Sequence, residues 1–267
     1  MISTLAHINP SAQIGKNIRI DPFAVIEADV SIGDDTHIMS HAIIMSGSRI
    51  GNGCRIFPSA VIGAIPQDLK FEGEKTTVEI GNNTTIRECV TINRGTKDKN
   101  KTVVGNNCLL MAYSHLAHDC IIGNNVILAN TVQLAGHVTV GDYAIIGGMA
   151  AAIQFATIGA HTYIAGNSEI RKDVPPYIKA GRTPLSYVGL NSVGLERRGY
   201  TKEKINEILE IYRQLYLRGL NTTQALENIE KDLPSSSEKD HIVNFIKASK
   251  RGIIKGFGKG SNDNDED

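Results

Sequence analysis

A few residues in this chain have the types and spacing for acid–base chemistry. His118 is followed directly by Asp119, and a neighbouring carboxylate can orient an imidazole and raise its pKa, the arrangement of a general base. Gly136 stands eighteen residues beyond His118 and His137 eighteen beyond Asp119. Gly136 has no side chain to shield its backbone N–H, so it is a candidate oxyanion donor. His115 lies three residues before His118, and Gln154 eighteen past Gly136. No Ser or Cys nucleophile stands in this column, so base plus donor favours direct attack of a substrate hydroxyl on an acyl carbonyl. All of this holds only if the chain returns to the same place every eighteen residues.

The sequence carries such a period. Isoleucines recur every six residues from Ile2 through Ile8, Ile14, Ile20, Ile26, Ile32, Ile38, Ile44, Ile50 and Ile56 to Ile62. The phase resumes at Ile80, Ile86 and Ile92, and again from Val104 through Leu116, Leu134 and Ile146 to Ile170, with Ala152 the one small occupant. The breaks add whole hexads, so the phase survives them. A helix of period 3.6 cannot hold every sixth residue inside over this length. Short strands separated by turns can, and hexapeptide repeats mark parallel β-helices. Three hexads make one eighteen-residue coil, with turns such as Gly51-Asn52-Gly53 supplying corners that tolerate positive φ. Cys54, Cys108 and Cys120 fall in the slot otherwise held by Ala or Ser, which makes them core fillers.

The coil places the candidates together. His118, Asp119, Gly136 and His137 are expected to converge on one face of two coils, with Gln154 continuing the column and His115 on the preceding corner. Two insertions, 64–79 and 94–103, leave from one corner below this face, and loops on rigid scaffolds commonly carry binding groups. The first holds Gln67, Asp68 and Lys70. A second column, Ala112, Asn130, Gly148 and Gly166, leaves a groove that suits either a neighbouring subunit or an extended apolar ligand. A zinc site resembling that of the gamma-class carbonic anhydrases, drawing on His115 and His118, is a competing chemistry. A scaffold that binds a nucleotide sugar without catalysis is a third reading.

The ladder stops after Ile170, and Val174-Pro175-Pro176 breaks the strand pattern. Irregular chain is expected to about Gly199. A helix capped by Thr201 and ended by Gly219 then follows, with two more near 222–231 and 237–249. The expected fold is an all-β solenoid, a left-handed parallel β-helix over 1–175, followed by a small helical C-terminal domain over 176–252 and a disordered tail over 253–267. Lys+Arg and Asp+Glu each number 28 in 267 residues. That balance argues against nucleic acid or a membrane surface as main partner. No apolar run approaches the roughly 20 residues of a membrane span, and the start lacks the features of a signal peptide. Four cysteines are too few for a disulfide scaffold of this length.

Several motifs carry a resemblance. His115-Leu116-Ala117-His118-Asp119-Cys120, Ala135-Gly136-His137, Ile145-Ile146-Gly147-Gly148-Met149, Asp173-Val174-Pro175-Pro176-Tyr177, Gly194-Leu195-Glu196-Arg197-Arg198-Gly199-Tyr200, Gln67-Asp68-Leu69-Lys70 and Val90-Thr91-Ile92-Asn93-Arg94-Gly95-Thr96 closely resemble the UDP-N-acetylglucosamine O-acyltransferases of lipid A biosynthesis. The resemblance implies transfer of an (R)-3-hydroxyacyl group from acyl carrier protein to the 3-hydroxyl of UDP-N-acetylglucosamine, by a cytoplasmic homotrimer without metal or other cofactor. It implies His118 as general base, Asp119 as its orienting partner and Gly136 as oxyanion donor. Gln67, Asp68, His115 and His137 would bind the sugar, while Lys70, Gln154, Asn191, Arg197 and Arg198 would contact nucleotide or carrier. Gly166 matches the position that limits acyl length. Ile153, Val193 and Glu196 depart from the family pattern. A variant that acylates a 3-amino sugar is the alternative within the resemblance.

Overall fold

Most hexads fold as a two-residue strand ending on the ladder aliphatic, and parallel pairing to the next coil holds it there. The computed structural model describes residues 1–256. Within them three parallel sheets form the sides of a triangular prism. The first runs from His7–Ile8 to Glu169–Ile170, the second from Gln13–Ile14 to Thr157–Ile158, and the third from Arg19–Ile20 to Tyr163–Ile164. The hand is that of the left-handed parallel β-helix. Registers keep the ladder in phase: Leu116 pairs with Leu134 and Leu134 with Ala152. The insertions do not disturb it, since Ile62 pairs with Ile92 and Ile92 with Leu116. The ladder aliphatics from Ile20 to Ile170 form the buried interior, with Cys54, Cys108 and Cys120 among its fillers.

Corners repeat a two-residue turn whose second residue has positive φ. At some levels that residue is Asn or Asp, as expected. At others it is bulky: Tyr113 (63°), His137 (64°), Tyr143 (60°), Phe155 (64°) and His161 (59°). A left-handed backbone costs such residues about 1–2 kcal/mol each. Stacking between coils offsets the cost, with His137 on Phe155 at 4.3 Å and Tyr143 on His161 at 5.0 Å between ring centroids. The corner between the second and third sheets carries a side-chain ladder. Asp34 Oδ1 accepts the Lys16 N–H (2.7 Å), and each coil repeats the motif through Asn52, Asn82, Asn106 and Asn124 to Asp142. These carboxamides and carboxylates take up turn N–H groups that no backbone carbonyl reaches.

The third sheet continues past residue 175, because Ile178–Gly181 pairs parallel with Tyr163–Ile164 and antiparallel with Ser186–Leu190. Four helices follow: α1 (Ser192–Arg197), α2 (Lys202–Leu217), α3 (Thr222–Asp232) and α4 (Ser237–Ala248). The short α1 falls in the stretch expected to be irregular; six residues with no side-chain cap leave no periodic signal. Thr201 caps α2 as expected, and a capping box of Asn221 and Gln224 starts α3. The helices are fastened to the end of the prism by buried phenols. Tyr212 donates to the Pro176 carbonyl, and Tyr177 lies 2.9 Å from His241 Nδ1.

The expected tail needs correction at its start. Ile253 bridges Asp173 and Gly256 bridges Tyr187, while Ile254 is buried. The cause is Asp173, whose buried carboxylate accepts from the Thr157 N–H (2.8 Å) and the Ser249 hydroxyl (2.6 Å), drawing the segment after α4 onto the prism. The remainder of that tail, 257–267, lies outside the described residues.

These contacts set two scales of stability. Asn82→Ala, which strands the Asn52 N–H at an exposed corner, should cost about 0.5–1.5 kcal/mol. Ile92→Ala, which opens a cavity in the ladder, should cost about 2–5 kcal/mol. Denaturant melts of both variants check the order.

Candidate active site

The strand His115–Leu116 ends on a buried leucine, and the chain then turns the corner between the first and second sheets. His118 and Asp119 are the two residues of that turn, so they lie at a corner rather than on a face as expected. His115 is on the strand and not on the preceding corner. Its Nδ1 lies 2.7 Å from Thr91 Oγ1, and burial holds the ring below its ordinary pKa against the opposing pull of the Thr91 backbone.

The left-handed φ of Asp119 (60°) folds its side chain back toward His118. His118 Nδ1 lies 2.8 Å from Asp119 Oδ2. The carboxylate therefore accepts a hydrogen bond from Nδ1–H, and Nε2 is left as the basic nitrogen. Asp119 is fully buried and His118 only 6% exposed. Burial alone would raise the Asp119 pKa, but hydrogen bonds from Thr96 and His118 outweigh it and hold the carboxyl below its ordinary range.

Gly136 lies one coil above. A Cβ built on it would come 2.7 Å from His118 Nε2 and Cε1, so the imidazole occupies the space a side chain would need. Among the described residues the Gly136 N–H has no hydrogen-bond acceptor. His137 completes the group. Its ring meets His118 edge-on at 5.0 Å and stacks on Phe155. Its Nε2 is 3.8 Å from Asp119 Oδ2, while Nδ1 faces Asp98 at 3.2 Å without hydrogen-bond alignment. Burial pulls its pKa down, and Asp119 and Asp98 oppose this. Gln154 follows one coil higher, exposed beside Phe155.

The chain is similar to known proteins over nearly its whole length. The family described as UDP N-acetylglucosamine O-acyltransferase, domain 2, matches residues 173–254, and bacterial transferase hexapeptide repeats match 11–42, 29–64 and 101–136. An acyl-[acyl-carrier-protein]–UDP-N-acetylglucosamine O-acyltransferase of Thermodesulfovibrio yellowstonii is 46% identical over 255 residues, covering 95% of this chain and 99% of the relative. The enzyme of that name from Chlorobaculum parvum is 50% identical over 252 residues, covering 94% and 96%. The crystal structure of a UDP-N-acetylglucosamine acyltransferase from Bacteroides fragilis superposes with a TM-score of 0.94 at 52% identity, over 96% of this chain and 100% of that one.

The chain belongs to the UDP-N-acetylglucosamine O-acyltransferase family. Against that family's chemistry the remaining expected site residues are spread out. Gln67, Asp68 and Lys70 ride on the first insertion, where Asp68 Oδ1 accepts the Lys70 N–H at 3.0 Å. Among the described residues none of the three hydrogen-bonds to His118 or Asp119. Asn191 is buried with its Nδ2 on the His161 carbonyl (2.8 Å). Arg198 lies 5.3 Å over the Tyr143 ring, and Arg197 is exposed beside it. Both contacts belong to the corner between the second and third sheets. There burial, with Arg198 and His241 adding, pushes His161 down to about 4. Gly166 is exposed at the third corner, where a Cβ would lie 3.0 Å from the Gly148 carbonyl oxygen.

Spacing did not reveal Thr96, Asp98 and Lys99, which the second insertion folds onto the His118 corner. The competing zinc chemistry finds a different donor set from the one it needs. His118, Asp119 and His137 have ligand atoms within 4.8 Å of one another, but His115 stands apart on Thr91 and Asp119 Oδ2 already accepts from Thr96 and His118.

The lowered Asp119 pKa fixes a pH dependence. The stability it contributes is present above the ordinary carboxylate range and is lost as pH falls through the depressed native value. Asp119→Asn should be less stable than the parent near neutrality. The gap in melting temperature should narrow between about pH 6 and about pH 3, which thermal melts across that range check.

Proposed function

We propose that this chain transfers a 3-hydroxyacyl group from acyl carrier protein to the 3-hydroxyl of UDP-N-acetylglucosamine, the first step of lipid A biosynthesis. The observation that carries the mechanism is the His118 imidazole, with Nδ1 committed to a buried carboxylate and the ring set against the bare backbone of Gly136. Nε2 takes the proton of the sugar hydroxyl as its oxygen attacks the thioester carbonyl. The negative charge that forms on the carbonyl oxygen is met by the Gly136 N–H. Asp119 stabilises the imidazolium without taking its proton. Collapse of the tetrahedral intermediate expels the carrier thiolate, which His118 reprotonates. Gln67, Asp68, His115 and His137 are assigned to the sugar, and Lys70, Gln154, Asn191, Arg197 and Arg198 to the nucleotide or carrier. The exposed Lys172, Lys179 and Arg197 suit docking of an acidic carrier.

The three groups of residues sit at three different corners of one prism. His118 occupies the first, Asn191 and Arg198 the second, and Gly166 the third. A substrate with a nucleotide, a sugar and a long acyl chain needs all three within its own length. The homotrimer answers this, because apposed corners of neighbouring copies bring different groups together. Among the described residues no helix is long and apolar enough to cross a membrane. The location proposed with this activity is the cytoplasm.

Incubation with UDP-N-acetylglucosamine and a series of 3-hydroxyacyl carrier proteins, with a chelator present, should give the acylated nucleotide sugar; no product with any carrier would refute the transferase. His118→Ala should lower kcat by roughly 10²–10⁴-fold with the circular dichroism spectrum unchanged. Gly166→Met, folded as judged by the same spectrum, should shift the preferred acyl chain to shorter lengths. An unaltered preference across the series would remove Gly166 from length selection.

A further inference from the structure

The second insertion makes its closest approach to the site at the fully buried Asp119. Asp119 has four donors on its two carboxylate oxygens. Thr96 N–H (3.0 Å) and Lys99 N–H (3.3 Å) reach Oδ1, while Thr96 Oγ1 (2.7 Å) and His118 Nδ1 (2.8 Å) share Oδ2. Three of the four come from the insertion. The segment that supplies them is held closed: Asn100 N–H donates to the Thr96 carbonyl at 2.8 Å, and Gly95 N–H to the Thr77 carbonyl at 3.1 Å. A Cβ on Gly95 would fall 2.3 Å from the Lys101 nitrogen, so the turn forms only with glycine there. Thr96 itself is 7% exposed.

We infer that Thr96 is the positioning residue of the His118–Asp119 pair, and that the second insertion serves to deliver it. The inference rests on the general-base reading of His118. The Thr96 backbone and hydroxyl bind opposite oxygens of one carboxylate and so fix its plane, leaving a lone pair of Oδ2 aimed at His118 Nδ1. The hydroxyl also draws charge from the oxygen that meets the imidazolium. Removing the hydroxyl therefore has two consequences. The carboxylate is freer to turn, so the base is less well aligned, and Oδ2 binds the imidazolium more strongly, so His118 protonates at higher pH. The titratable and charged groups around that imidazole are Asp119, His137, Asp98 and Lys99, and all are kept when only Thr96 is changed.

The test compares Thr96→Val, Thr96→Ala and Thr96→Ser with the parent full-length chain. Histidine labelled with carbon-13 at Cε1 reports the His118 titration by NMR, assigned with His118→Gln, and steady-state kinetics use the acyl carrier protein and UDP-N-acetylglucosamine. Val and Ala should move the His118 titration to higher pH and lower kcat by roughly 10–100-fold, with KM for the sugar nucleotide unchanged. Ser should restore both. A titration and kcat equal to the parent in Val or Ala would overturn the inference, as would a Ser variant as impaired as Ala. Should Val fail to fold, Ala and Ser decide. Absence of product from the parent chain would count against the transferase, while the NMR titration would still test the role of Thr96.

Discussion

Parallel pairing between coils is the interaction on which the rest of this molecule depends. Each strand is only two residues long at most levels, so no strand is stable alone and each is held by the one above and the one below. The two insertions leave and re-enter the solenoid at one corner, so they can be large and still leave Ile62, Ile92 and Leu116 in one column. The same pairing lets residues eighteen apart meet as neighbours. The 3.0 Å bond from the His137 N–H to the His118 carbonyl is one rung of it, and it brings the candidate oxyanion donor beside the candidate base.

A buried carboxylate is costly unless its oxygens are engaged. At this corner the prism supplies some of the required partners and the insertion the rest. The turn that carries Asp119 is left-handed, and a non-glycine residue there stores strain. The Asp119 N–H is secured on Thr102 Oγ1 at 2.8 Å, which anchors the turn from the strand side. His137 occupies the equivalent left-handed position one coil higher and is sandwiched between His118 and Phe155. Both residues flanking the basic nitrogen thus share the left-handed conformation of the other corners, and Asp119 is fully buried as well. The regular ladder beneath supplies the stability that offsets this strain.

Much of the fold was legible because it obeys local, repeated rules. The isoleucine period gave the coil, the small slots gave Cys54, Cys108 and Cys120 their places, and Thr201 and Gly219 marked the ends of α2. The meeting of His118, Asp119, Gly136 and His137 followed from the coil length alone. What escaped has no period. Thr96, Asp98 and Lys99 reach the site through a fold-back of inserted chain, whose path is set by Gly95 and by contacts to Asp119 rather than by spacing. The return of 253–256 to the prism depends on Asp173, some eighty residues earlier in the chain. Corner residues such as Tyr143 and His161 read as poor formers of left-handed turns, and their stacking is visible only once the coils are assembled.

A prism of this kind divides the surface of one chain into three edges that cannot face one another. The chemistry proposed here needs a base, a nucleotide-binding group and room for an acyl chain within one substrate's length, and the residues proposed for these, His118, Asn191 with Arg198, and Gly166, lie on different edges. Lengthening the solenoid does not help, because added coils extend every edge equally. Bending it would break the pairing that holds the ladder. Apposition of copies is the answer proposed above, and in the proposed trimer each copy's base would meet the same neighbouring edges while the assembly closes. The rigidity that brings His118, Asp119, Gly136 and His137 into one column is what keeps the other two edges out of its reach.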